Sequence, residues 1–445
     1  MGKAFNKGQL MKKIIIILIV LLFQNAVFAI EDIVKVNLDE AIDVALENNI
    51  DLKAAQLNIQ IAKNNTKSAN RLQNPSIDGF YFLGAAGWSE PKQWGLSQDI
   101  EIAKRGARKK LAKSNLLLTE KNTEYTTFDL KMDVREAYIN LVAAKSVLNT
   151  LEQQQVLQEE LLRIASNRVK SGKVPEIDAI QAEIALNQLI TQVNTAKVNV
   201  KQALSSFNKV INAQNNITYD TNDKIFAEEN NYEEMLTPPP TGKFPPISTL
   251  MDKAMSNRFD IQIAKQEIDI AKKNLKVVSR QRVPDLALTG GYAYQIGAHS
   301  DDGRYHNGAY VGASIVNIPV LYNYSPEIQN ASLKVEQAKL NYESAKNKAM
   351  KDITAAYEKF LTAADNLNHY ETKIVTSSEK LIDISKKSYE NGKSDITSLI
   401  IMKQSYKSII VGYTYALADY YNSWTNFLRE INDEDFELNL KGETL

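Results

Sequence analysis

The sequence predicts a mainly α-helical protein with a membrane β-barrel portion, built from two copies of one helix–β-hairpin–long-helix-pair unit. The first observation is an internal repeat, since residues 45–65 recur in recognisable form as residues 254–274. The second is a pair of long segments, 104–171 and 326–391, which carry no proline or glycine beyond their first turn. The third is an alternating extended segment in each copy. Self-similarity of this kind indicates that one structural unit is made twice.

Matching residues carry the repeat from the first helix to the last. They are Asn48 and Asn257, Asp51 and Asp260, Pro75 and Pro284, Tyr138 and Tyr357, Gly172 and Gly392, and Phe207 and Phe427. The chain therefore divides into a first repeat over 30–211, an inter-repeat linker over 212–246, a second repeat over 247–431 and a tail over 432–445. The linker is rich in Asn, Glu and Pro, so little regular structure is predicted for it.

Residues 1–29 have the features of a secretory signal peptide with an upstream extension. A basic start at Met11 leads into an apolar run over 14–23, and Ala29 is a small residue at a cleavage point. The apolar run is too short to cross a bilayer as a helix, which argues against the alternative of a membrane anchor. Translation can start at Met1 or at Met11. We therefore expect the mature chain to be exported.

Charge, cysteine and histidine content exclude several classes of function. Lys and Arg total 53 and Asp and Glu total 53, so there is no net charge to attract a nucleic acid partner. The absence of cysteine excludes disulfides and thiolate metal sites. His299, Asp301, Asp302 and His306 do cluster, but a solvated loop is the favoured interpretation over a metal site. We predict no enzyme activity and no cofactor.

The first helix is predicted over 38–71, with Asn37 and Glu40 as a capping box. Pro75 ends it, because proline disfavours a helical conformation at the residue before it. Two strands follow over about 76–89 and 93–102. Their counterparts in the second repeat are predicted over about 285–298 and 307–319, where strands have a period of two residues.

The strand that begins near residue 286 has two chemically different faces. Large apolar residues occupy one face and are expected to contact lipid, namely Leu288, Tyr292, Tyr294 and Ile296. Thr289, Gly291 and Gln295 occupy the other face, which is expected to line the lumen. This pattern is typical of a strand in a membrane barrel. A soluble hairpin with a buried aromatic face fits the local pattern too, although no second sheet is predicted to cover it.

The long helices predicted over 104–171 and 326–391 would each extend about 100 Å. Their apolar residues are sparse and recur at spacings typical of a coiled-coil seam, so they must pack side by side. Four strands in one chain cannot close a barrel, and open sheet edges are not tolerated in hydrocarbon. Several chains must therefore pool their strands. Bacterial barrels have an even number of strands, eight or more, so a dimer and a trimer both satisfy the count.

Four features together resemble the TolC-like outer-membrane efflux protein family. They are the duplicated plan, the Asn-Pro and Val-Pro exits of the short helices, the run Ala103-Lys104-Arg105-Gly106-Ala107-Arg108 after a strand, and a glycine at each tip between long helices. The resemblance implies a homotrimer in the outer membrane of a Gram-negative bacterium, with a barrel of twelve strands above a periplasmic tunnel of helices and with the linker at its equator. It also implies a periplasmic adaptor and an inner-membrane pump as partners. The Lys104-Arg105-Gly106 exit is most similar to the cation-efflux branch.

The resemblance suggests where a gate and an adaptor-docking site would lie. In the family the tips close the tunnel and meet the adaptor. The matching residues here are Gly172, Asp178, Tyr389 and Gly392, and Asp395 lies nearby, where it could supply charge. Family members carry a basic residue and two acidic residues after the second glycine, where this chain has Ser394, Ser398 and Ile401. We therefore expect a neutral Tyr389–Asp178 hydrogen bond in place of an ionic latch, while Asp395 is also a suitable helix cap. The competing interpretation is a periplasmic coiled-coil scaffold or adhesin with no channel.

Overall fold

A computed structural model describes residues 32–80, 93–214, 216–225, 246–296 and 306–433 of the chain. The first repeat begins with a short strand and two short helices and continues through a hairpin to two long helices. Its elements are β1 Asp32–Lys35, α1 Leu38–Asn48, α2 Ile50–Ala69, β2 Ser76–Phe80, β3 Gln93–Ile100, α3 Lys104–Lys170 and α4 Glu176–Val210. The predicted signal peptide and nearly all of the predicted tail lie outside the described residues.

The second repeat follows the same order after β4, Ile217–Asp220. Its elements are α5 Ile247–Asn257, α6 Phe259–Ser279, a 3₁₀ turn Arg280–Arg282, β5 Asp285–Ile296, β6 His306–Val316, α7 Ser325–His369, a π-helical segment Tyr370–Val375, α8 Thr376–Glu390 and α9 Ile396–Ile431. All four predicted strands are present, but β3 and β6 end before the predicted residues 101–102 and 317–319. Residues 81–89 of the first predicted strand lie outside that part of the chain.

The single helix predicted over 38–71 is wrong, because the structure breaks it at Asn49. This residue has an extended conformation, with φ −61° and ψ 120°, and its side-chain oxygen accepts a hydrogen bond from the Leu52 amide at 2.8 Å. Asn49 therefore ends α1 and caps α2, and asparagine is one of the residues preferred at a helix N-cap. Arg258 breaks the second repeat at the matching place. The predicted capping box of Asn37 and Glu40 is confirmed.

The inter-repeat linker contains regular structure that its composition does not predict. Strand β4, within the segment expected to be irregular, pairs in parallel with β1, so that Ile33 lies opposite Thr218. β1 was not expected either. Both strands have only four residues, which is too short for an alternating pattern to stand out. The pairing fixes the start of the first repeat to the chain segment that leaves it.

The two hairpins join into one antiparallel sheet of four strands in the order β2-β3-β5-β6. The central pairing is between the repeats, with Ser97 opposite Thr289. Strands β2 and β6 are therefore the two edges, and neither has an outer partner within the described part of the chain. The sheet is a joint product of both repeats.

The long helices pack in pairs along a sparse apolar seam. Helix α3 has 67 residues and is about 100 Å long. The largest core cluster lies at mid-length, where the rings of Tyr138, Phe207, Phe360 and Phe427 are fully buried. Two smaller clusters continue the seam towards the far end of the helices. In the described residues, no helix has the length and apolar character needed to cross a membrane.

Candidate functional site

The first helix tip turns at Gly172 in the way that the sequence predicts. Gly172 has φ +69°, a left-handed conformation that glycine adopts without steric cost. Its amide donates to the Val169 carbonyl at 2.9 Å, and the Lys173 amide donates to the Arg168 carbonyl at 2.9 Å. This pair of bonds is a Schellman motif, which satisfies carbonyls that the end of α3 would leave open.

The second tip repeats the same turn at Gly392, where φ is again +69°. The Gly392 amide donates to the Tyr389 carbonyl at 3.0 Å, and the Lys393 amide donates to the Ser388 carbonyl at 2.8 Å. Asp395 then caps α9, because its side chain accepts from the Ser398 amide at 2.8 Å. The hydrogen bonds that Ser398 donates to the Asp395 carboxylate lower the pKa of Asp395 below its usual value. The structure therefore gives Asp395 a capping role.

Tyr389 does not make the hydrogen bond predicted for it. Its side chain is buried, and its hydroxyl has no hydrogen-bond partner in the described part of the chain, so the Tyr389–Asp178 bond is absent. The Arg168 guanidinium lies 4.8 Å from the centre of the Tyr389 ring, within the range of a cation–π contact. Tyr389 also belongs to a buried apolar cluster with Leu161 and Ile396. Its contacts are therefore with Arg168 and apolar side chains and not with Asp178.

Two contacts at the tips have no counterpart in the sequence reasoning. Arg168 stacks on Tyr389, and the Thr397 hydroxyl donates to the Gln181 side-chain oxygen at 2.6 Å. Both contacts join the first repeat to the second. Arg168 of the first repeat aligns with Ser388 of the second, so comparison of the two copies does not reveal that Arg168 has a role at the tip.

The four-stranded sheet has one apolar face along its whole width. Leu288, Tyr292 and Tyr294 are 43%, 42% and 41% exposed, and nothing is described for the side chain of Ile296. Residues directly opposite one another on antiparallel strands share a face. The same face therefore carries Trp94 opposite Tyr292, Leu96 opposite Gly290, Val311 also opposite Gly290, and Ile315 opposite Leu286. Each of these four apolar side chains is exposed.

The other face of the sheet is mostly made of small and polar residues, with Phe80 opposite Gln93 and Tyr310 opposite Gly291 as its large aromatic members. Ser97 lies opposite Thr289, and Thr289 lies opposite Gly312. Gly291 needs its lack of a side chain, because an added Cβ would lie 2.0 Å from the Trp94 carbonyl oxygen. Ala287 and Ala293 on this face are buried. The sheet thus separates apolar from polar chemistry, as the sequence predicts for the lipid and lumen sides.

The basic run that follows β3 joins the sheet to the helices. The Lys104 ammonium lies 2.6 Å from the Asp285 carboxylate, and both side chains are largely buried. The Arg105 guanidinium donates to the Asn70 carbonyl at 2.7 Å, beyond the end of α2. Arg108 pairs with Glu101 at 2.8 Å. These contacts give the run a structural role, and its link to cation efflux stays a prediction.

No metal site is found in the described part of the chain, where no group of three or more His, Asp or Glu residues is placed to hold an ion. The predicted loop cluster of His299, Asp301 and Asp302 lies outside the described residues, as does the side chain of His306.

Comparison with known proteins decides between a channel and a scaffold. The family model described as outer membrane efflux protein matches residues 41–213 and 250–425. The chain belongs to the outer membrane efflux protein family. This confirms the resemblance noted in the sequence and places this outer membrane efflux protein in the outer membrane of a Gram-negative envelope. It also favours the channel over the periplasmic scaffold or adhesin. No curated protein sequence matches the chain.

Solved structures show the same fold. The Campylobacter jejuni CmeC outer membrane channel is 19% identical with a TM-score of 0.68, covering 90% of this chain and 87% of that one. The outer membrane protein VceC from Vibrio cholerae is 13% identical with a TM-score of 0.68, covering 89% and 96%. The open state of the Neisseria gonorrhoeae MtrE outer membrane channel is 17% identical with a TM-score of 0.68, covering 89% of both chains. The mainly α, duplicated fold class is therefore confirmed for this outer membrane efflux protein.

Proposed function

We propose that the chain is one of three identical subunits of an outer-membrane channel that receives substrates from an inner-membrane pump and releases them outside the cell. The observation that carries this proposal is the four-stranded sheet with an exposed apolar face and two unpartnered edges in the described structure. Such edges cannot remain open in hydrocarbon, where each unpaired backbone group costs several kcal/mol. Pairing β6 of one chain with β2 of the next closes the wall.

The strand count allows two or three chains, and the helices give no further choice because they scale with the strands. The resemblance to the TolC-like family, whose members are trimers, favours three. Three chains give twelve strands, an even count within the bacterial range. The polar face with Ser97 and Thr289 then lines the lumen, and the apolar face with Val311 and Tyr292 meets lipid. Similarity to solved outer membrane channels supports this arrangement.

The helix tips are the proposed docking site for a periplasmic adaptor. A groove runs between the end of α3 and helix α8, lined by the exposed side chains of Leu157 and Ile164 and by the side chains of Arg168 and Lys386. Exposed apolar groups with a charged rim are typical of a protein interface. The regular turns at Gly172 and Gly392 hold the two hairpin ends beside this groove. Adaptor docking there would couple the tunnel to the pump.

Planar-bilayer recording tests the conduction step. The protein extracted from outer-membrane fractions should form discrete channels, and Thr289→Arg should lower single-channel conductance by placing a charge in the lumen. Ser394→Ala, at the tip and outside the proposed barrel, serves as the matched control. A protein that stays soluble in the periplasm, or that inserts without conducting, would support the scaffold interpretation instead. Both results would contradict the channel.

A further inference from the structure

A polar cavity of about 230 Å³ lies in the wall of helices, where α3, α4 and α9 meet. Its main polar lining is Gln154 and Gln158 from α3, Gln188 and Gln192 from α4, and Lys403 and Lys407 from α9. All three helices belong to the same chain, so one subunit supplies every lining residue of this half-open cavity. It is larger than the roughly 30 Å³ that one water molecule occupies in the liquid.

The cavity interrupts an otherwise apolar seam. On the side towards the tips, Leu161, Ala182 and Leu399 belong to one buried cluster. On the opposite side, Leu151 and Val193 belong to another. Apolar residues are what a helical seam needs for stability, and a polar layer within it lowers stability unless its groups are satisfied. Gln158, Lys403 and Lys407 each donate one hydrogen bond within the chain, and a ligand in the cavity could accept from their remaining donors.

The charge in the cavity is uncompensated. The Lys403 ammonium donates to the Leu157 carbonyl at 3.3 Å, and the Lys407 ammonium donates to the Gln192 side-chain oxygen at 2.6 Å. No Asp or Glu lines the cavity, and neither ammonium is within ion-pair distance of a carboxylate among the described side chains. Partial burial lowers the pKa of both lysines, and the nearby Lys386 lowers that of Lys403 further.

We propose that this cavity binds a small inorganic oxyanion of the phosphate type. Lys403 and Lys407 are one helical turn apart on the same face of α9, and both side chains line the cavity. Each ammonium has three donors and uses one in the described structure, and the glutamine side chains add amide donors. A tetrahedral oxyanion offers several acceptor oxygens, and its hydrogen bonds to ammonium groups are charge-assisted and strong.

The bound anion would fasten the second repeat to the first just above the tips. Lys403 and Lys407 lie on α9, while the glutamines lie on α3 and α4. A ligand that bridges these helices stabilises the arrangement that binds it, by mass action. The proposal does not depend on the conduction activity, because the cavity is built within one chain.

Isothermal titration of the detergent-extracted full-length protein with inorganic phosphate, at constant ionic strength, tests the proposal. We expect one site per chain in the wild type and at least tenfold weaker binding in the Lys403→Gln/Lys407→Gln double variant. Lys387→Gln is the matched control, because Lys387 is an exposed lysine near the same tip, paired with Asp383. Its affinity for phosphate should equal that of the wild type, and phosphate should raise the unfolding temperature of both.

Three outcomes would overturn the proposal. One is no heat of binding in the wild type, which would mean that water alone fills the cavity. Another is equal phosphate binding by the double variant, which would place the anion elsewhere on the surface. The third is equally tight binding of chloride, which would exclude selection of an oxyanion. If the double variant does not assemble, the pair Lys407→Arg and Lys407→Gln replaces it, and only the glutamine variant should lose affinity.

Discussion

The two repeats differ most in the middle of their long helices. Helix α3 runs through 67 residues without a break, whereas its counterpart is divided into α7 and α8 by the π-helical segment Tyr370–Val375. Facing that segment, Tyr413 donates a hydrogen bond to Glu371 at 2.9 Å, and burial raises the pKa of Tyr413. Gly412 lies so close that an added Cβ would be 2.8 Å from the Tyr370 hydroxyl oxygen.

The two repeats therefore share the order of their elements but differ in the regularity of this long helix. A π-helical turn widens the helix locally and weakens its hydrogen-bond ladder, and such turns are a recognised cause of bends. At the corresponding level of the first repeat, Leu151 is buried in an apolar cluster. We therefore expect helix α3 of the first repeat to stay straight and the α7–α8 helix of the second repeat to bend at its π-helical segment. The variants below compare matched positions in the two repeats.

The largest expected effect concerns the lipid-facing side of the sheet, to which both repeats contribute. Tyr292→Arg in β5 and Leu96→Arg in β3 should each reduce the amount of protein in outer-membrane fractions, because an arginine facing lipid costs roughly 2–4 kcal/mol at the bilayer midplane. Thr289→Arg, on the opposite face, should leave that amount close to the wild-type value. Quantitative immunoblotting measures the amount of each variant in outer-membrane fractions. If Leu96→Arg inserted normally while Tyr292→Arg did not, the repeats would not share the lipid wall equally.

The second expected effect is at the tips, where the repeats are most alike. Gly172→Ala and Gly392→Ala should each destabilise the protein by roughly 1–2 kcal/mol, because alanine in a left-handed conformation is strained. No neighbouring atom lies within 4 Å of a Cβ added at either position, so the effect comes from the backbone alone. The midpoint of thermal unfolding measures it. Gly106→Ala, in the first turn of α3 and equally open, is the control and should not lower the midpoint. A drop at only one tip would show that the tips are not equivalent.

The third effect tests the packing around the π-helical segment. Alanine usually stabilises a helix by about 1 kcal/mol relative to glycine, but in Gly412→Ala the contact with the Tyr370 hydroxyl should cancel that gain. In the Tyr370→Phe background the oxygen is absent, so Gly412→Ala should raise the stability by the full amount. The coupling in this double-mutant cycle should be about 1 kcal/mol. A coupling near zero would mean that the Tyr370 side chain moves at no cost to make room for the methyl group that Gly412→Ala adds, so that no steric contact exists between the π-helical segment and α9.

The smallest expected effect is at Tyr389. Its hydroxyl is buried without a hydrogen-bond partner in the described structure, and leaving a polar group in that state is unfavourable. Tyr389→Phe should therefore be neutral or slightly stabilising, and it should leave single-channel conductance unchanged. Arg168→Ala is the informative comparison, because it removes the cation–π contact that joins the repeats. An increase in conductance for Tyr389→Phe would show that the hydroxyl holds the gate in the assembled channel.

Local chemistry explains which features could be predicted from the sequence. The glycines at 172 and 392 were recognisable because glycine adopts the left-handed conformation of a sharp helix reversal without steric cost. The faces of β5 were recognisable because a period of two residues is visible in twelve residues of strand. The capping role of Asp395 followed from its residue type. These features depend on neighbours along the chain.

Features that depend on distant parts of the chain were missed. The breaks at Asn49 and Arg258 carry no proline or glycine; Asn49 at least has a local cap, but Arg258 has no side-chain cap hydrogen bond. The pairing of β1 with β4 joins segments far apart in sequence. The Tyr389 ring contacts Arg168 and apolar residues from both repeats, and the family resemblance suggested the wrong partner for its hydroxyl.

The native mass of the protein in mild detergent tests the central claim most directly. The account holds that one chain leaves the two edges of its sheet open and that neighbouring chains close them. Sedimentation or mass spectrometry of the membrane-extracted protein should therefore give three chains per particle. A stable single chain that conducts fully in planar bilayers would contradict the account, because its four strands would have to form a channel alone.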